Sequence, residues 1–537
     1  MAQELLATVR RMLTRVRVKT THRGTEVTEH SRSTSVLGVS VPQCVVISLV
    51  CCALVAAFEL PGLQAAPDTP VAQSSGPVTD LSLPTVPDLN PDPRILEINL
   101  TAEVARVEVS PGRRVDAWTY NGMLPGPLIR LTVGDRLIVH FTNKLPSPTT
   151  VHWHGLRLPI QMDGVPGASQ PQVEAGGTFT YDFVVPDAGL YWYHPHVMSA
   201  AQVGFGLYGA FLVDDPSETF KVAEERVLVL SDIDLTEQGA LEDPETGGST
   251  GMAFGREGNT LLVNGRNHPR VSMRSGVTQR WRVVNAAKSR FFNLDPGVGI
   301  RFTKIGDDGG LQEYSEELES LVLAPGERAD VFYTPTAKPG TEYGVHAYLF
   351  DRGFGSVEAR QSEDLFEIVM ADTPAVTPQP HPRVTRAIEA ISQTGATPVA
   401  IEFGIDQKED KSFYYTINGK PLADIPPLKA AVGETQIWKV TNTTPWSHPI
   451  HLHGFFFQVL DKDGRPRRPL KWKDTVSVPL KDSVTLVVRF DDRPGSWMYH
   501  CHVLDHAEGG LMSAVQLSRP GEPAPPLPSE HTHPASP

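Results

Sequence analysis

One pattern recurs three times along the chain and restricts the possible fold more than any other feature. Each copy begins at an Asn-Gly pair, passes a glycine at a turn and continues into an alternating strand that ends in asparagine. The copies span residues 121–143, 264–285 and 418–442. Alternating strands separated by glycine and proline at this spacing are typical of antiparallel Greek-key sandwiches. The sequence therefore predicts an all-β fold of three Greek-key β-sandwich domains, near residues 93–216, 217–375 and 376–517.

The two ends of the chain differ in composition from this repeated region. No charged residue lies between Ser33 and Phe58, and an arginine-rich stretch precedes this apolar run. Such a segment is typical of an export signal, so we interpret residues 1–66 as one, either cleaved or kept as a membrane anchor. Residues 67–92 are interpreted as a linker and residues 518–537 as a Pro-rich tail. We therefore expect the folded part in the periplasm or outside the cell.

The formal net charge of the 537-residue chain is −14, which argues against one class of partner. Proteins that bind nucleic acids usually carry a basic face. We therefore expect no nucleic-acid partner, and we expect a monomer.

Only one of the four cysteines lies in the predicted domains. Cys44, Cys51 and Cys52 lie within the export segment, so cleavage would leave Cys501 without a partner for an internal disulfide. A lone thiol is a liability in an oxidising compartment unless something occupies it. Cys501 is therefore a candidate metal ligand or nucleophile.

Ten of the 18 histidines fall in four short runs. They are His152, His154, His194, His196, His448, His451, His453, His500, His502 and His506. Residues i and i+2 of a strand point to the same face, so each of the four His-X-His pairs presents two imidazoles on one side. Eight imidazoles from two domains are too many for one ion and predict a three-metal cluster. Imidazole binds copper, zinc, iron and nickel, and a single pair could hold zinc, so this pattern leaves the metal open.

The repeat indicates which domains carry these ligands. The ninth residue after the last asparagine of each copy is His152 in the first, His451 in the third and Leu294 in the second. Metal ligands are therefore expected in the first and third domains and not in the second.

Cys501 lies between His500 and His502 and faces the opposite side of the strand from both. His448 and His506 can join it there. One thiolate with two imidazoles is the trigonal arrangement of blue-copper electron-transfer sites. An electron that reaches such a copper is connected through the bonds of Cys501 to both neighbouring histidines.

Together these motifs resemble those of the multicopper oxidase family, in its three-domain laccase-like branch. The resemblance covers nearly all of the chain after the export segment and implies cupredoxin-like domains. It implies four copper ions, one of type 1, one of type 2 and two of type 3, and reduction of dioxygen to water at a three-copper cluster. The implied ligands are His448, Cys501 and His506 for type 1; His152 and His451 for type 2; and His154, His194, His196, His453, His500 and His502 for type 3.

The sequence departs from the family at the axial position of the type 1 site. The resemblance places that position ten residues after the cysteine, at Leu511, and Met512 comes one residue late. Leucine has no donor atom, and the axial ligand tunes the potential of such sites. We therefore predict a relatively high type 1 potential.

Dioxygen reduction consumes protons, so acidic groups near the cluster are expected. Asp163 and Asp474 match the family's carboxylates near the cluster, and the alternative for each is a turn or capping role. Some relatives have glutamate directly after the last type 1 histidine, where this chain has Ala507 followed by Glu508. We treat Asp163, Asp474 and Glu508 as candidate catalytic acids.

The predicted donor site rests on weaker patterns. Asp232 resembles the position where laccases place a substrate-facing carboxylate, and the alternative is a turn at a strand end. We expect His506 or His448 to be exposed beside a pocket. The Gly-rich residues 247–258 are expected to form a mobile loop near it.

Two classes of electron donor compete, with a non-enzyme as the third alternative. Phenols or aromatic amines are one class, and cuprous ion is the other. Thioethers select cuprous copper, but the chain has ten methionines and only Met370 between residues 340 and 400, which favours the organic donor. A copper-free scaffold protein would lack ligands, whereas the full set is present here.

Overall fold

The computed structural model describes residues 78–297, 299–353 and 362–525. Within these ranges the chain consists mainly of β-strands, which confirms the predicted all-β fold. The strands form six sheets that follow one another along the chain in three pairs. No helix in the described part of the chain is long and apolar enough to cross a membrane. The predicted export segment and the end of the predicted tail lie outside the described residues.

The first pair of sheets, here the first sandwich, occupies residues 95–214. Its strands are β1 (Ile95–Ser110), β2 (Arg113–Tyr120), β3 (Gly126–Thr132), β4 (Arg136–Asn143), β5 (His152–His154), β6 (Thr178–Val184), β7 (Gly189–His194) and β8 (Gly209–Asp214), with the 3-10 helix η1 (Ile160–Met162) and helix α1 (Ser199–Gly204). The sheet orders are β2-β1-β4-β6 and β3-β8-β7-β5. Side chains of both sheets, including Val139 and Trp153, form one buried apolar cluster.

The second sandwich occupies residues 224–370. Its strands are β9 (Glu224–Ile233), β10 (Thr260–Val263), β11 (Arg270–Met273), β12 (Gln279–Asn285), β13 (Phe292–Asp295), β14 (Phe302–Asp307), β15 (Gly310–Leu318), β16 (Leu321–Leu323), β17 (Arg328–Tyr333), β18 (Glu342–Tyr348) and β19 (Glu363–Met370), with helix α2 (Gly248–Phe254). The sheet orders are β10-β9-β12-β17-β14-β15 and β11-β19-β18-β13-β16. Leu294, at the position that aligns with a histidine elsewhere, lies in the apolar core between these sheets.

The third sandwich occupies residues 397–518. Its strands are β20 (Thr397–Gln407), β21 (Phe413–Ile417), β22 (Leu428–Ala431), β23 (Thr435–Asn442), β24 (His448–Leu452), β25 (Phe457–Leu460), β26 (Thr475–Val478), β27 (Ser483–Arg489), β28 (Gly495–Cys501) and β29 (Met512–Ser518), with the 3-10 helix η2 (Leu422–Asp424) and helix α3 (Leu504–Glu508). The sheet orders are β21-β20-β23-β27-β25 and β22-β29-β28-β24-β26. Trp438, Ile450 and Cys501 belong to one buried cluster that joins both sheets.

The repeated sequence pattern corresponds to one local structure in each sandwich. The strands β4, β12 and β23 pair in parallel with the strands that open the sandwiches, β1, β9 and β20. Each pattern ends in a buried asparagine, Asn143, Asn285 or Asn442, whose side-chain amide donates to carbonyls of neighbouring loops. These hydrogen bonds satisfy the buried carbonyls and thereby fix the path of the chain after the strand. In the first and third sandwiches that path leads to β5 and β24, which carry histidines.

The predicted linker is partly packed against the sandwiches. Leu81 is 4% exposed and belongs to the core of the second sandwich, and its carbonyl accepts a hydrogen bond from Asn264. Residues 78–92 therefore do not behave as a free spacer. The first two sandwiches lie within the predicted ranges 93–216 and 217–375, and the third ends one residue beyond the range 376–517. The exact domain boundaries stay predictions.

Candidate metal centre

Eight histidines lie together where the first sandwich meets the third. Strands β5 and β7 and the residues after β7 supply one half, and β24 and β28 with the residues after them supply the other. Across this boundary the ring of His152 stacks on His453, with centroids 4.0 Å apart, and His154 stacks on His451 at 3.8 Å. All eight side chains are buried. The structure thus brings together every member of the four predicted His-X-His pairs.

Backbone carbonyls fix several of these rings. In four of them Nδ1 donates to a carbonyl oxygen at 2.7–3.0 Å: His152 to Asp163, His194 to Pro195, His451 to Asp474 and His500 to Cys501. Such a bond fixes the tautomer and leaves Nε2 as the nitrogen with a free lone pair. These four rings are therefore oriented as metal ligands before any ion binds.

Several buried ring nitrogens have no hydrogen-bond partner. They are Nε2 of His152, His194 and His451, Nδ1 of His154, and both nitrogens of His502. A buried polar atom without a partner is costly. The ligand atoms of His152, His451 and His453, of His152, His154 and His194, and of His196, His453 and His500 lie within 4.8 Å of one another. This donor set fits metal ions at that place.

Burial also keeps the histidines in the form that binds metal. Desolvation lowers the pKa of His154, His194, His196, His500 and His502 well below the ordinary value and lowers that of His453 to about 3. The charged imidazolium is disfavoured in a buried site. These six rings are therefore neutral at neutral pH, as metal coordination requires.

A second group of ligand atoms lies on the other face of β28. The Sγ of Cys501 is 3.4 Å from Nδ1 of His448 and 3.8 Å from Nδ1 of His506, and the two Nδ1 atoms are 2.9 Å apart. All three residues are fully buried. Burial raises the pKa of the Cys501 thiol, so the thiolate form requires a bound cation. One sulfur and two nitrogens converging on a single point are the donors of a blue-copper site.

Comparisons with known proteins identify the family. Family models described as multicopper oxidase match residues 101–218, 224–362 and 395–520. The chain is 33% identical over 464 residues to the multicopper oxidase MmcO of Mycobacterium tuberculosis, covering 79% of this chain and 87% of that protein. The chain belongs to the multicopper oxidase family. It is therefore an oxidoreductase, and the family implies copper as the metal.

Solved structures and other relatives extend the likeness. A crystal structure of a multi-copper oxidase from Pseudomonas thermotolerans has a TM-score of 0.67 at 31% identity, over 79% of this chain and 99% of that chain. A Campylobacter jejuni multicopper oxidase described as a metallo-oxidase has a TM-score of 0.70 at 27% identity, over 82% and 95%. A laccase of Bacillus subtilis is 27% identical over 75% of this chain and 90% of that protein. The cupredoxin-like fold expected from the sequence is confirmed.

In this multicopper oxidase the side chain of Leu511, and not that of Met512, lies on the same face of the sheet as Cys501. The carbonyl of Leu511 accepts a 2.9 Å hydrogen bond from the Cys501 amide, and both side chains belong to one buried cluster. Met512 pairs with His500 across β28 and β29, and its side chain lies in a separate cluster with Met498. Cross-strand partners share a face, so Met512 points away from the Cys501 site.

Asp163 contacts histidines from both sandwiches. Its Oδ2 is 2.8 Å from Nδ1 of His453, and its Oδ1 is 3.4 Å from Nδ1 of His152. Burial alone would raise the pKa of Asp163, but His453 and His152 hold it below its ordinary value. The carboxylate is therefore an acceptor that faces the histidine cluster, as the sequence predicted for an acid near it.

Asp474 has the equivalent place on the other side of the cluster. Its Oδ1 is 3.1 Å from Nε2 of His154 and 3.4 Å from Nδ1 of His451. The adjacent hydroxyl of Thr475 donates to the same Oδ1 at 2.8 Å. Asp474 thus also contacts one ring from each sandwich.

Glu508 lies away from these two carboxylates. Its Oε1 accepts a 2.9 Å hydrogen bond from the amide of Ala200 at the start of α1. Burial raises the pKa of Glu508 to about 7. No hydrogen bond joins it to the histidine cluster among the described residues, so its predicted catalytic role stays a prediction.

Asp232, the candidate substrate-facing residue, is buried in this structure, and its role toward a substrate stays a prediction. The residue is 5% exposed, and its Oδ2 accepts hydrogen bonds from Nε of Arg290 at 2.9 Å and from the Gly258 amide at 2.7 Å. The same residue lines a cavity together with Pro244 and Lys288.

The expected exposure of the cysteine-site histidines is wrong, and residues 247–257, here the cover segment, lie beside one of them, His506. His448 and His506 are both 0% exposed. The Gly-rich stretch forms helix α2 instead of a loop, and a Cβ added to Gly255 would lie 3.2 Å from Nε2 of His506. Arg256 of the cover segment pairs with Asp505, the residue before His506. A donor that approaches His506 from this side therefore meets the cover segment first.

Proposed function

We propose that this multicopper oxidase removes single electrons from a small organic reductant, a phenol or an aromatic amine, and passes them to dioxygen. Four donor molecules each lose one electron, and one dioxygen takes up four electrons and four protons to give two waters. The observation that carries the proposal is the tripeptide His500-Cys501-His502. It gives the cysteine site and the histidine cluster a continuous covalent connection.

The proposed ligand assignment follows the geometry and the family. One copper would be held by His448, Cys501 and His506. Three would be held by the eight clustered histidines, with His152 and His451 on the type 2 ion and His154, His194, His196, His453, His500 and His502 on the type 3 pair. When bound, these ions supply one-electron redox chemistry that no side chain of the chain provides.

The carboxylates that contact the cluster would serve the proton supply. Asp163 lies against His152 and His453, and Asp474 lies against His154 and His451. A carboxylate within hydrogen-bond reach of a reacting group can hold or transfer a proton. Each side of the cluster therefore has one acid that can relay protons while the rings stay oriented.

The small number of methionines near the cysteine site supports the organic donor. Met252 of the cover segment lies beside Gly509, where a Cβ added to the glycine would be 2.8 Å from its sulfur. A site for cuprous ion uses several soft thioethers. The sequence does not contain the methionine-rich insertion that cuprous oxidases of the family often carry. Outer-sphere transfer from an organic donor needs no such ligands.

One observation favours a second candidate, oxidation of cuprous ion. The cover segment buries His506 completely, and an ion needs a smaller opening than an aromatic ring. Met252 is a soft donor in that segment, and one relative with a similar fold is described as a metallo-oxidase. We keep metal oxidation as the alternative donor reaction of the same site.

Oxygen uptake by the copper-loaded protein tests the proposal. We expect an intense blue colour and steady-state turnover with a phenolic dye at a higher kcat/KM than with cuprous ion, after subtraction of uncatalysed cuprous oxidation. The control is C501S, which should lose the colour and the turnover together. Turnover with cuprous ion alone would assign the metal as donor. Wild-type protein that binds copper but consumes no oxygen with either donor would contradict the proposal.

A further inference from the structure

A fully buried arginine of the second sandwich reaches the edge of the histidine cluster. Arg328, the first residue of β17, is 0% exposed. Its Nη1 donates to Oδ1 of Asp474 at 2.8 Å, and its Nη2 pairs with Oδ2 of the same carboxylate. The remaining donors bind the carbonyls of Leu190, Gly326 and Asp308 at 2.9–3.1 Å. Every arm of the guanidinium is thus held in one orientation.

The carboxylate that Arg328 holds contacts a ring from each of the other two sandwiches. Asp474 faces Nε2 of His154 from β5, and both its carboxylate and its carbonyl face Nδ1 of His451 from β24. A carboxylate paired with an arginine fork acts as an acceptor. The nitrogens that face Asp474 therefore carry the protons.

This contact explains an asymmetry among the histidines. The nitrogen left without a partner is Nε2 in His152, His194 and His451 but Nδ1 in His154. Among these four histidines, only His154 has its Nε2 within hydrogen-bond distance of a carboxylate, that of Asp474. The acceptor thus selects which nitrogen of His154 keeps a lone pair for a metal.

A neighbouring aspartate of the second sandwich fixes the backbone of the same segment. Oδ2 of Asp308 accepts hydrogen bonds from the amides of Asp474 at 3.4 Å and Thr475 at 3.2 Å. Its Oδ1 accepts from the amide of Arg328 at 2.9 Å. Lys473 also pairs with Asp308 at 3.1 Å. Side chain and backbone of Asp474 are therefore both held by the second sandwich.

We propose that Arg328 is a positioning residue for the metal cluster, which sets the ring orientation and tautomer of His154 and His451 through Asp474. The second sandwich, which supplies none of the predicted ligands, thereby takes part in building the cluster. The inference rests on the proposed binding of copper by the clustered histidines. Groups that orient metal ligands typically change metal affinity or activity by about 10–100-fold when they are altered.

The same sheet contains a matched control. Arg280 of β12 is 4% exposed and pairs with Asp330 through Nε at 2.9 Å and through Nη2. Neither residue of this pair contacts a clustered histidine in the described part of the chain. A substitution of Arg280 therefore removes a buried ion pair of the second sandwich and leaves the contacts of the histidine cluster unchanged.

The test compares R328K and R328Q with R280K and R280Q, all purified with copper as full chains. Copper per chain, the blue absorption of the cysteine site and the electron paramagnetic resonance signal of the type 2 copper are measured. We expect the R328 variants to keep the blue absorption, to bind cluster copper about 10–100-fold more weakly and to change the type 2 signal. The R280 variants should match the wild type in all three.

R328K decides the matter if R328Q does not fold, because lysine keeps the charge and loses only the fork. R328 variants with wild-type copper content and type 2 signal would overturn the inference. Failure of both R328 variants to fold, while the R280 variants fold, would overturn it as well and assign Arg328 a structural role. Wild-type protein without cluster copper would instead contradict the proposed function.

Discussion

Position 511 offers a prediction about how strongly the cysteine site holds an electron. Leu511 lies in the same buried cluster as Cys501 and offers no donor atom. We expect L511M to lower the reduction potential of the blue copper, because a thioether would donate electron density to the ion. A spectroelectrochemical titration of the blue absorption measures the change.

The neighbouring methionine supplies the control for that experiment. Met512 points to the other face of β29, so M512L should leave the potential unchanged. An L511M potential equal to that of the wild type would show that position 511 is not axial.

Asp163 offers a prediction about the oxygen half of the reaction. D163N keeps the shape of the side chain but removes its charge and its ability to relay a proton. We expect reoxidation of the reduced protein by dioxygen to slow by about 10–100-fold, with no change in anaerobic reduction of the blue copper by the donor. Stopped-flow absorption measures the two half-reactions separately.

A second aspartate tests whether that effect is specific. Asp187 pairs with Arg157 through two hydrogen bonds of 2.6 Å, and D187N should leave both half-reactions unchanged. Equal reoxidation rates in D163N and the wild type would show that Asp163 does not supply protons to the reaction.

The ligands could be predicted from the sequence because their signal is local. A His-X-His pair fixes the shared face of two rings whatever the rest of the chain does. Arg328 gave no such signal, since its role depends on Asp474, which lies 146 residues further along the chain. The burial of His506 was missed for the same reason, because the residues that cover it come from the second sandwich.

At the scale of elements, the cover segment packs beside the cysteine site. The carboxylate of Asp505 accepts from the Arg256 amide at 2.7 Å and pairs with its guanidinium, and Glu257 accepts from Arg352 at 2.8 Å. These bonds hold α2 and Gly255 against α3. A helix this short depends on such tertiary contacts for its stability.

Breaking one of these bonds should open the site. We expect R256A to raise kcat/KM for a bulky phenol by about tenfold, which corresponds to about 1.4 kcal/mol, because the segment then leaves His506 more often. Steady-state oxygen uptake with phenols of increasing size measures the effect. R301A, which removes an exposed ion pair with Glu319, is the control.

The size dependence decides whether the cover segment limits access. A gain that grows with the size of the phenol would show that the cover segment limits access. No gain with any phenol would show that donors transfer electrons through the closed segment.

The cover segment also shows where an element was misjudged from sequence. Glycines at 247, 248, 251, 255 and 258 indicated a mobile loop. The structure has a helix there because Arg256 binds the carbonyl of Gly248 and Arg352 binds that of Phe254. Such long-range bonds override local propensity.

At the scale of the whole molecule, the histidine cluster joins the first sandwich to the third. We expect removal of copper by a chelator to lower the temperature of thermal unfolding, because ions bound only to the folded state stabilise it and the orphaned nitrogens would again lack partners. Differential scanning calorimetry before and after chelation measures the loss, and re-addition of copper should reverse it. An unchanged unfolding temperature would mean that the ions do not join the sandwiches.

The three-sandwich architecture was predictable because an asparagine ends the equivalent strand in each copy of the repeat. Asn143, Asn285 and Asn442 satisfy loop carbonyls in three equivalent places. The participation of the second sandwich in the cluster was not predictable, since its aligned position holds Leu294. Contacts between sandwiches depend on surfaces, and the spacing within a repeat carries no information about them.

The separation of the ligands along the chain has a consequence for maturation. His154 and Asp474 lie 320 residues apart, and contacts between such distant residues form only after long loops have closed. The cluster is therefore complete only once nearly the entire chain has been synthesised and folded. A truncated product keeps the histidines of β5 and β7 but cannot enclose the ions. We therefore expect copper content to report whether the enzyme has finished folding.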